Sequence, residues 1–253
     1  MGIAADLVGQ PVEVVIAQGE VVAEHGKLTV HFPSVAYPSE AKNTVHMKRD
    51  VQAADFDIKA PAGANQVKAR VIKVIENQAP TAQLIATLPV SSGNVAMDMK
   101  ADVCQIAIVE RHKATGQVTN AFVSGFGYNI PCALASTVAH DSHHMLVVGT
   151  NKQDMALAAN RLREVGGGVC MFADGKELAL VELPVAGLMS DEAPEIVAAK
   201  ADRLIAAMAV CGCTLNNAFM QHSLLALVVI PTLRISDKGV IDVTTFEKVE
   251  LFV

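Results

Sequence analysis

Aromatic residues are scarce in this 253-residue chain, at 4% of the total, and tryptophan is missing altogether. Charged residues make up only 18%, while half of the residues are hydrophobic. That balance excludes a disordered chain and suits a compact Ala- and Val-rich protein of the α/β or α+β class. There is no basic run and the net charge is −6, so nucleic acid is not an expected partner. The longest strongly apolar run, Leu224–Ile230, has seven residues and is too short to span a bilayer, so no membrane is expected either. A basic segment followed by an apolar one, the mark of a secretion signal, is absent from the N-terminus. The five cysteines are odd in number and show no framework spacing, which points to reduced thiols in a cytoplasmic protein. The length suffices for one large domain or two small ones with a sizeable core.

The stretch from Cys132 to Asn151 organises the rest. Two apolar runs, Ala133–Ala139 and Met145–Val148, flank His140, Asp141, Ser142, His143 and His144. Three of the eight histidines fall here. Short apolar runs bounded by polar residues read as buried strands. A polar cluster between two such runs belongs at a sheet edge or cleft mouth, because burying it without partners is costly. It is either a working site or a well-satisfied turn.

Around this centre the chain reads as strand-rich. Val12–Ile16 and Glu20–Ala23 form a hairpin-like ribbon with a further turn at His25–Lys27, and residues 33–65 read as a connector. Further strands are expected at Val67–Ile75, Leu84–Val90, Val95–Met99, Ile106–Val109, Ala121–Val123, Val169–Phe172, Leu178–Leu183 and Leu227–Ile230. Asn151 is placed to cap a helix that stops at Gly166-Gly-Gly168. Ser190 or Asp191 is expected to cap a second, with Pro194 in its first turn and its end near Gly212. The expected fold is α+β with two main helices, in three segments: the ribbon of residues 1–32, the connector, and an α+β domain over 66–253.

Imidazoles beside a carboxylate suit a metal, and His144 is the candidate ligand. Adjacent residues on a strand or turn point apart, however, so such a site needs a distant ligand such as His112 or His222. Glu110-Arg111-His112 closes a strand with three ionisable groups. It reads either as an ion-paired strand end or, if it lies beside His140, as part of an acid–base and substrate-orienting cluster. Cys132 reads as a small core residue, not a nucleophile.

Several of these segments together resemble the C-terminal domain of bacterial adenine deaminases. They are Val109-Glu-Arg-His112, Gly125-Phe-Gly127, Ser136-x-Val-Ala-His140-Asp-Ser-His143, Val147-Val-Gly-Thr-Asn151, Gly166-Gly-Gly168, Gly187-Leu-Met-Ser-Asp191 and Gly212-Cys-Thr-Leu215. The opening ribbon is similar to the β-sandwich strands that follow the catalytic barrel in amidohydrolase-superfamily enzymes. The resemblance implies hydrolysis of adenine to hypoxanthine and ammonia, with a divalent iron, manganese or zinc ion. It also implies that the metal ligands sit on a barrel, beginning with a His-x-His; this chain contains no His-x-His. The family usually has asparagine where His144 stands. Three readings follow: the C-terminal part of such a hydrolase, dependent on a barrel-bearing partner; a non-catalytic structural or oligomerisation module; or a stand-alone hydrolase for a related purine or other heterocycle. In a working site, His140, Asp141, His143, Glu110 and His112 are the expected catalytic groups, with Asp141 or Glu110 as base. Arg111, Ser142, Asn151, Ser190 and Asp191 are the expected substrate contacts. The exposed edges of the ribbon favour a homo-oligomer.

Overall fold

The computed structural model describes residues 12–31, 33 and 35–253. The first eleven residues of the expected ribbon segment lie outside them. The chain divides into two compact units, Met1–Ala36 and Tyr37–Val253.

In the first unit, β1 (Val14–Ala17) and β2 (Glu20–Glu24) pair antiparallel, and β2 pairs with β3 (Lys27–Leu28). The two residues between β1 and β2, Gln18 and Gly19, both have positive φ, at 52° and 85°. That is the turn whose twist matches two paired strands. Val15, Ile16, Val21 and Leu28 are exposed.

The second unit opens with a single turn of helix, α1 (Ser39–Lys42), and a 3-10 turn at Ala53–Phe56 closed by a reciprocal Gln52–Asp55 capping box. Met47, Val51, Phe56 and Ile58 are buried, so part of the stretch read as connector contributes to the core. There follow β4 (Gln66–Lys73), β5 (Ala82–Ser91), β6 (Asn94–Val95), β7 (Val103–Val109), β8 (Val118–Ser124), β9 (Cys132–Ser136) and β10 (Met145–Gly149). After them come α2 (Lys152–Val165), β11 (Gly168–Ala173), β12 (Lys176–Glu182), α3 (Pro194–Val210), α4 (Ala218–Leu224), β13 (Leu233–Ser236), β14 (Gly239–Asp242) and β15 (Glu247–Val249).

Nine strands form one sheet in the order β12-β11-β9-β10-β7-β8-β4-β5-β6, antiparallel throughout except where β4 runs parallel to β8. The middle strands β7, β9, β10 and β11 are buried along their whole length. Their side chains alternate between two cores. Ile106, Ile108, Leu134, Leu146 and Val148 face one core, which includes Leu204, Ala207 and Met208 of α3. Ala107, Val109, Ala135, Met145 and Val147 face the other, with Met155, Ala158, Ala159 and Leu162 of α2. Both faces being covered explains why these strands read as continuous apolar runs without polar alternation. The fold is α+β with two main helices.

Three local expectations are corrected. Leu227–Ile230 is not a strand: its backbone continues in turns from α4, with Leu227 N–H on Leu224 O and Ile230 N–H on Leu227 O. Arg234 pins the same segment through the Leu224 and Ile230 carbonyls. Neither Ser190 nor Asp191 caps α3; the cap is Ala193, which has no side-chain acceptor, and Pro194 begins the helix. Beyond Val95 the chain leaves the sheet and enters a 3-10 turn at Met99–Ala101, because the Asp98 side chain accepts from the Lys100 and Ala101 amides.

Candidate functional site

The antiparallel register pairs Met145 with Val109 and Leu146 with Ser136. The end of β7, the start of β10 and the end of β9 therefore lie side by side, and the residues just beyond them must meet. Glu110-Arg111-His112 and His140–His144 form one rim. Its Asp141, Ser142 and His112 are exposed, His140 and His143 half-buried, and His144 buried.

Arg111 is the hub. It is 1% exposed and has no carboxylate partner among the described residues; instead Nε donates to His143 O (2.6 Å), Nη1 to Thr44 O (3.1 Å) and Nη2 to Ala186 O (3.2 Å). Three segments distant in sequence are thus tied to one side chain. Burial pushes its guanidinium down to about 10, so it stays charged at neutral pH. Gly187 is required beside it: its φ is +70°, and a Cβ there would stand 2.8 Å from Arg111 Nη1.

Glu110 is a brace. Its carboxylate accepts the amides of His112 (2.5 Å), Lys113 (2.7 Å) and Thr115 (2.9 Å), and the Thr115 hydroxyl (3.0 Å). Burial alone would raise its pKa. The hydrogen bonds outweigh burial and hold the carboxyl at about 2, which makes it a poor base near neutrality. The hollow behind it, between Met47, Lys48, Arg49, Val51, Val109 and Gly116, measures about 10 Å³, room for no more than one water.

The imidazoles meet in pairs. His112 lies 4.7 Å from His144, ring centre to ring centre, and His140 lies 5.4 Å from His143, edge to face. His112 Nε2 is 2.7 Å from Ser142 O, which fixes that nitrogen as a donor. His143, at φ +51°, gives its amide to Ala139 O (2.7 Å), and His140 N–H reaches Ser223 O on α4. His144 Nδ1 has no hydrogen-bond partner among the described residues. Burial, then the neighbouring positive groups, pull His143 and His144 below the ordinary histidine range.

The rim therefore brings together Glu110, Arg111, His112, His140, Asp141, Ser142, His143 and His144. Asn151 lies at the opposite end of β10, where its side chain caps α2 through Gln153 N–H (2.8 Å). Ser190 accepts the Glu192 amide (3.2 Å), and Asp191 is ion-paired with Lys42 (2.6 Å). All three are committed to local structure. Thr44 and Ala186 belong to the rim and carried no sequence signal, and Asp237, legible in sequence only as part of a hairpin turn, acts on His144; Gly187, which fits beside the guanidinium, stood within a family-like motif. Among the described residues, no group of three or more His, Cys, Asp or Glu side chains is arranged to hold a metal. The divalent ion implied by the family resemblance does not fit the donors present here. All five cysteines are free, and no described helix is long and apolar enough to cross a membrane.

Comparison with known proteins agrees on one family. The model of the adenine deaminase C-terminal domain matches residues 78–247. The chain is 65% identical over 251 residues to an adenine deaminase from Mesorhizobium japonicum, covering 99% of this chain and 42% of that protein. It is 64% identical to adenine deaminase 3 of Rhizobium meliloti, again over 99% and 42%, and 44% identical to an adenine deaminase from Moorella thermoacetica, over 97% and 41%. The chain spans about two fifths of the length of these curated relatives.

Proposed function

The chain belongs to the adenine deaminase C-terminal domain family, and we propose that it acts as the C-terminal part of a hydrolase converting adenine and water to hypoxanthine and ammonia. The observation that carries this reading is the pairing of high identity over nearly the whole chain with coverage of only 42% of the relative. The donor set supports it from another side, since the residues described offer no enclosing metal site. On this reading the catalytic ion, whether iron, manganese or zinc, is held by a barrel-bearing partner, and the barrel supplies the hydrolytic chemistry. The rim contributes the exposed His112, Asp141 and Ser142 and the half-buried His140 and His143 to the substrate side. Glu110, Arg111 and His144 hold that surface in shape. The location is cytoplasmic, in keeping with five free thiols.

The test is an adenine-deamination assay on the purified chain, stripped of metal and resupplied with iron, manganese or zinc, then repeated with a barrel-bearing partner added. The expected result is no turnover alone and turnover in the mixture. Metal-restored turnover by the chain alone, abolished in His140→Ala, would overturn the need for a partner. A mixture that forms a complex but gains nothing would leave a structural module.

A further inference from the structure

Two consecutive side chains at the end of β7 hold two consecutive carbonyls of the 140–144 loop. His112 Nε2 donates to Ser142 O at 2.7 Å, and Arg111 Nε donates to His143 O at 2.6 Å. One loop imidazole turns back on these groups, His144 lying 4.7 Å from His112, and the other two meet within the loop, His140 lying 5.4 Å from His143. His144 is only 9% exposed and its Nδ1 is unpartnered among the described residues. Such a ring is comfortable neutral and poorly placed to be charged.

The charged and titratable groups facing the loop are few. Around His143 they are Arg111 and His112 from the end of β7, with His140 and Asp141 from the loop itself. Around His144 they are His112, Arg111 and Glu110 from the end of β7, and Asp237 from the turn between β13 and β14. That turn is brought there by Thr119 of β8, whose hydroxyl donates to Asp237 O at 2.8 Å. Glu110 is already engaged by four hydrogen bonds, and Asp237 lies 3.3 Å from Lys238 Nζ. One guanidinium and four imidazoles thus face three carboxylates, two of them already committed.

We propose that the 140–144 loop is an acid-released clasp: charging His143 and His144, crowded against Arg111 and the neighbouring imidazoles, drives the loop off the end of β7. The Ser142 and His143 carbonyls are then freed, and the rim opens. The sign follows from linkage. The closed loop disfavours the charged forms of His143 and His144 while the open loop lets them take protons, so acid favours the open state. The closed state prevails above the ordinary histidine pKa of about 6.5 and is lost progressively below it. The device stands whether or not the adenine reading holds.

Amide hydrogen exchange on the whole chain at pH 7.5 and pH 5.0, corrected for intrinsic chemical rates, tests it. The His143 amide, bonded to Ala139 O, is expected to lose protection about tenfold or more, while the amides of β10 keep theirs. His144→Phe keeps a ring without the charge, and its acid response is expected to shrink at least threefold. Unchanged His143 protection, a loss in step with β10, or a His144→Phe response equal to the parent's would each overturn the proposal. Should that variant fail to fold, ring-proton NMR titration of the parent chain decides. A His144 ring that titrates below the ordinary histidine range supports the clasp, and one that titrates at or above about 6.5 sinks it.

Discussion

Histidine is used in two opposite ways at neighbouring points of the fold. His222, on α4, is fully buried, with Phe126 presenting an edge 6.4 Å away, and among the described residues neither ring nitrogen makes a well-formed hydrogen bond. Burial drives it down to about 3, opposed only by the nearby Leu134 backbone. The next residue, Ser223, accepts the amide of His140, where the crowded rim begins. There the imidazoles touch one another, a guanidinium and water, and charge on one is felt by the next. The core histidine is a neutral space-filler held uncharged in the folded chain down to about 3, whereas in the proposed clasp the rim takes its charge when a loop lifts. Burial sets the energetic scale of the first, and crowding sets that of the second.

The comparison breaks most visibly if the rim is not held by Arg111. Arg111→Met removes the donors to Thr44, His143 and Ala186 and leaves their carbonyls unpaired, a loss of about 3 kcal/mol in urea unfolding. Arg111→Lys should recover little, since a single ammonium cannot reproduce the fork. Arg234 offers a matched control. It too is 1% exposed, has no carboxylate partner among the described residues and binds carbonyls of Leu224, Ile230, Ala79 and Pro231. Similar losses at both sites would mean that each guanidinium is a structural rivet. A much smaller loss at Arg111 would mean that the rim is held by its hydrogen-bonded turns instead.

The core side is sharpened by pH. A histidine at about 3 in the folded chain and about 6.5 when unfolded lets the unfolded state bind more protons, so stability falls as pH drops through that window. Between pH 7 and pH 5 this one residue costs about 2 kcal/mol. His222→Leu should flatten that dependence in urea midpoints measured at both pH values. If the parent is already flat, His222 takes its proton in the folded state, and the contrast with the rim disappears.

Much of this was legible in the sequence, and the reason is physical. Strands buried on both faces leave unbroken apolar runs, so Ile106–Val109 and Met145–Val148 stood out. Asn151 and Gly166 announced the limits of α2 because a cap and a positive φ demand those residue types. The rim was legible as a cluster, since the histidines are adjacent in sequence. What lay hidden depends on pairing between distant segments. The parallel match of β4 with β8, Arg111 reaching Thr44 and Ala186, and Asp237 approaching His144 leave no local pattern. Leu227–Ile230 misled because an apolar run has the same composition in a strand as in turns pinned by an arginine.

Ser190 and Asp191 misled for a related reason, and they give the smallest expected effect. A Ser-Asp pair three to four residues before a helix looks like a cap, yet Asp191 is spent on Lys42 at the surface, with side chains 30% and 40% exposed. The Lys42 ammonium holds its carboxyl below the usual range, but water screens such a pair. Asp191→Asn should therefore shift stability by no more than a few tenths of a kcal/mol and leave the acid response of His143 untouched. In the barrel-complemented assay it should leave turnover unchanged as well. A loss of turnover with stability intact would place Asp191 against substrate. The rim would then extend along the 186–191 segment that Arg111 already grips at Ala186, and the line between working surface and scaffold would have to be redrawn.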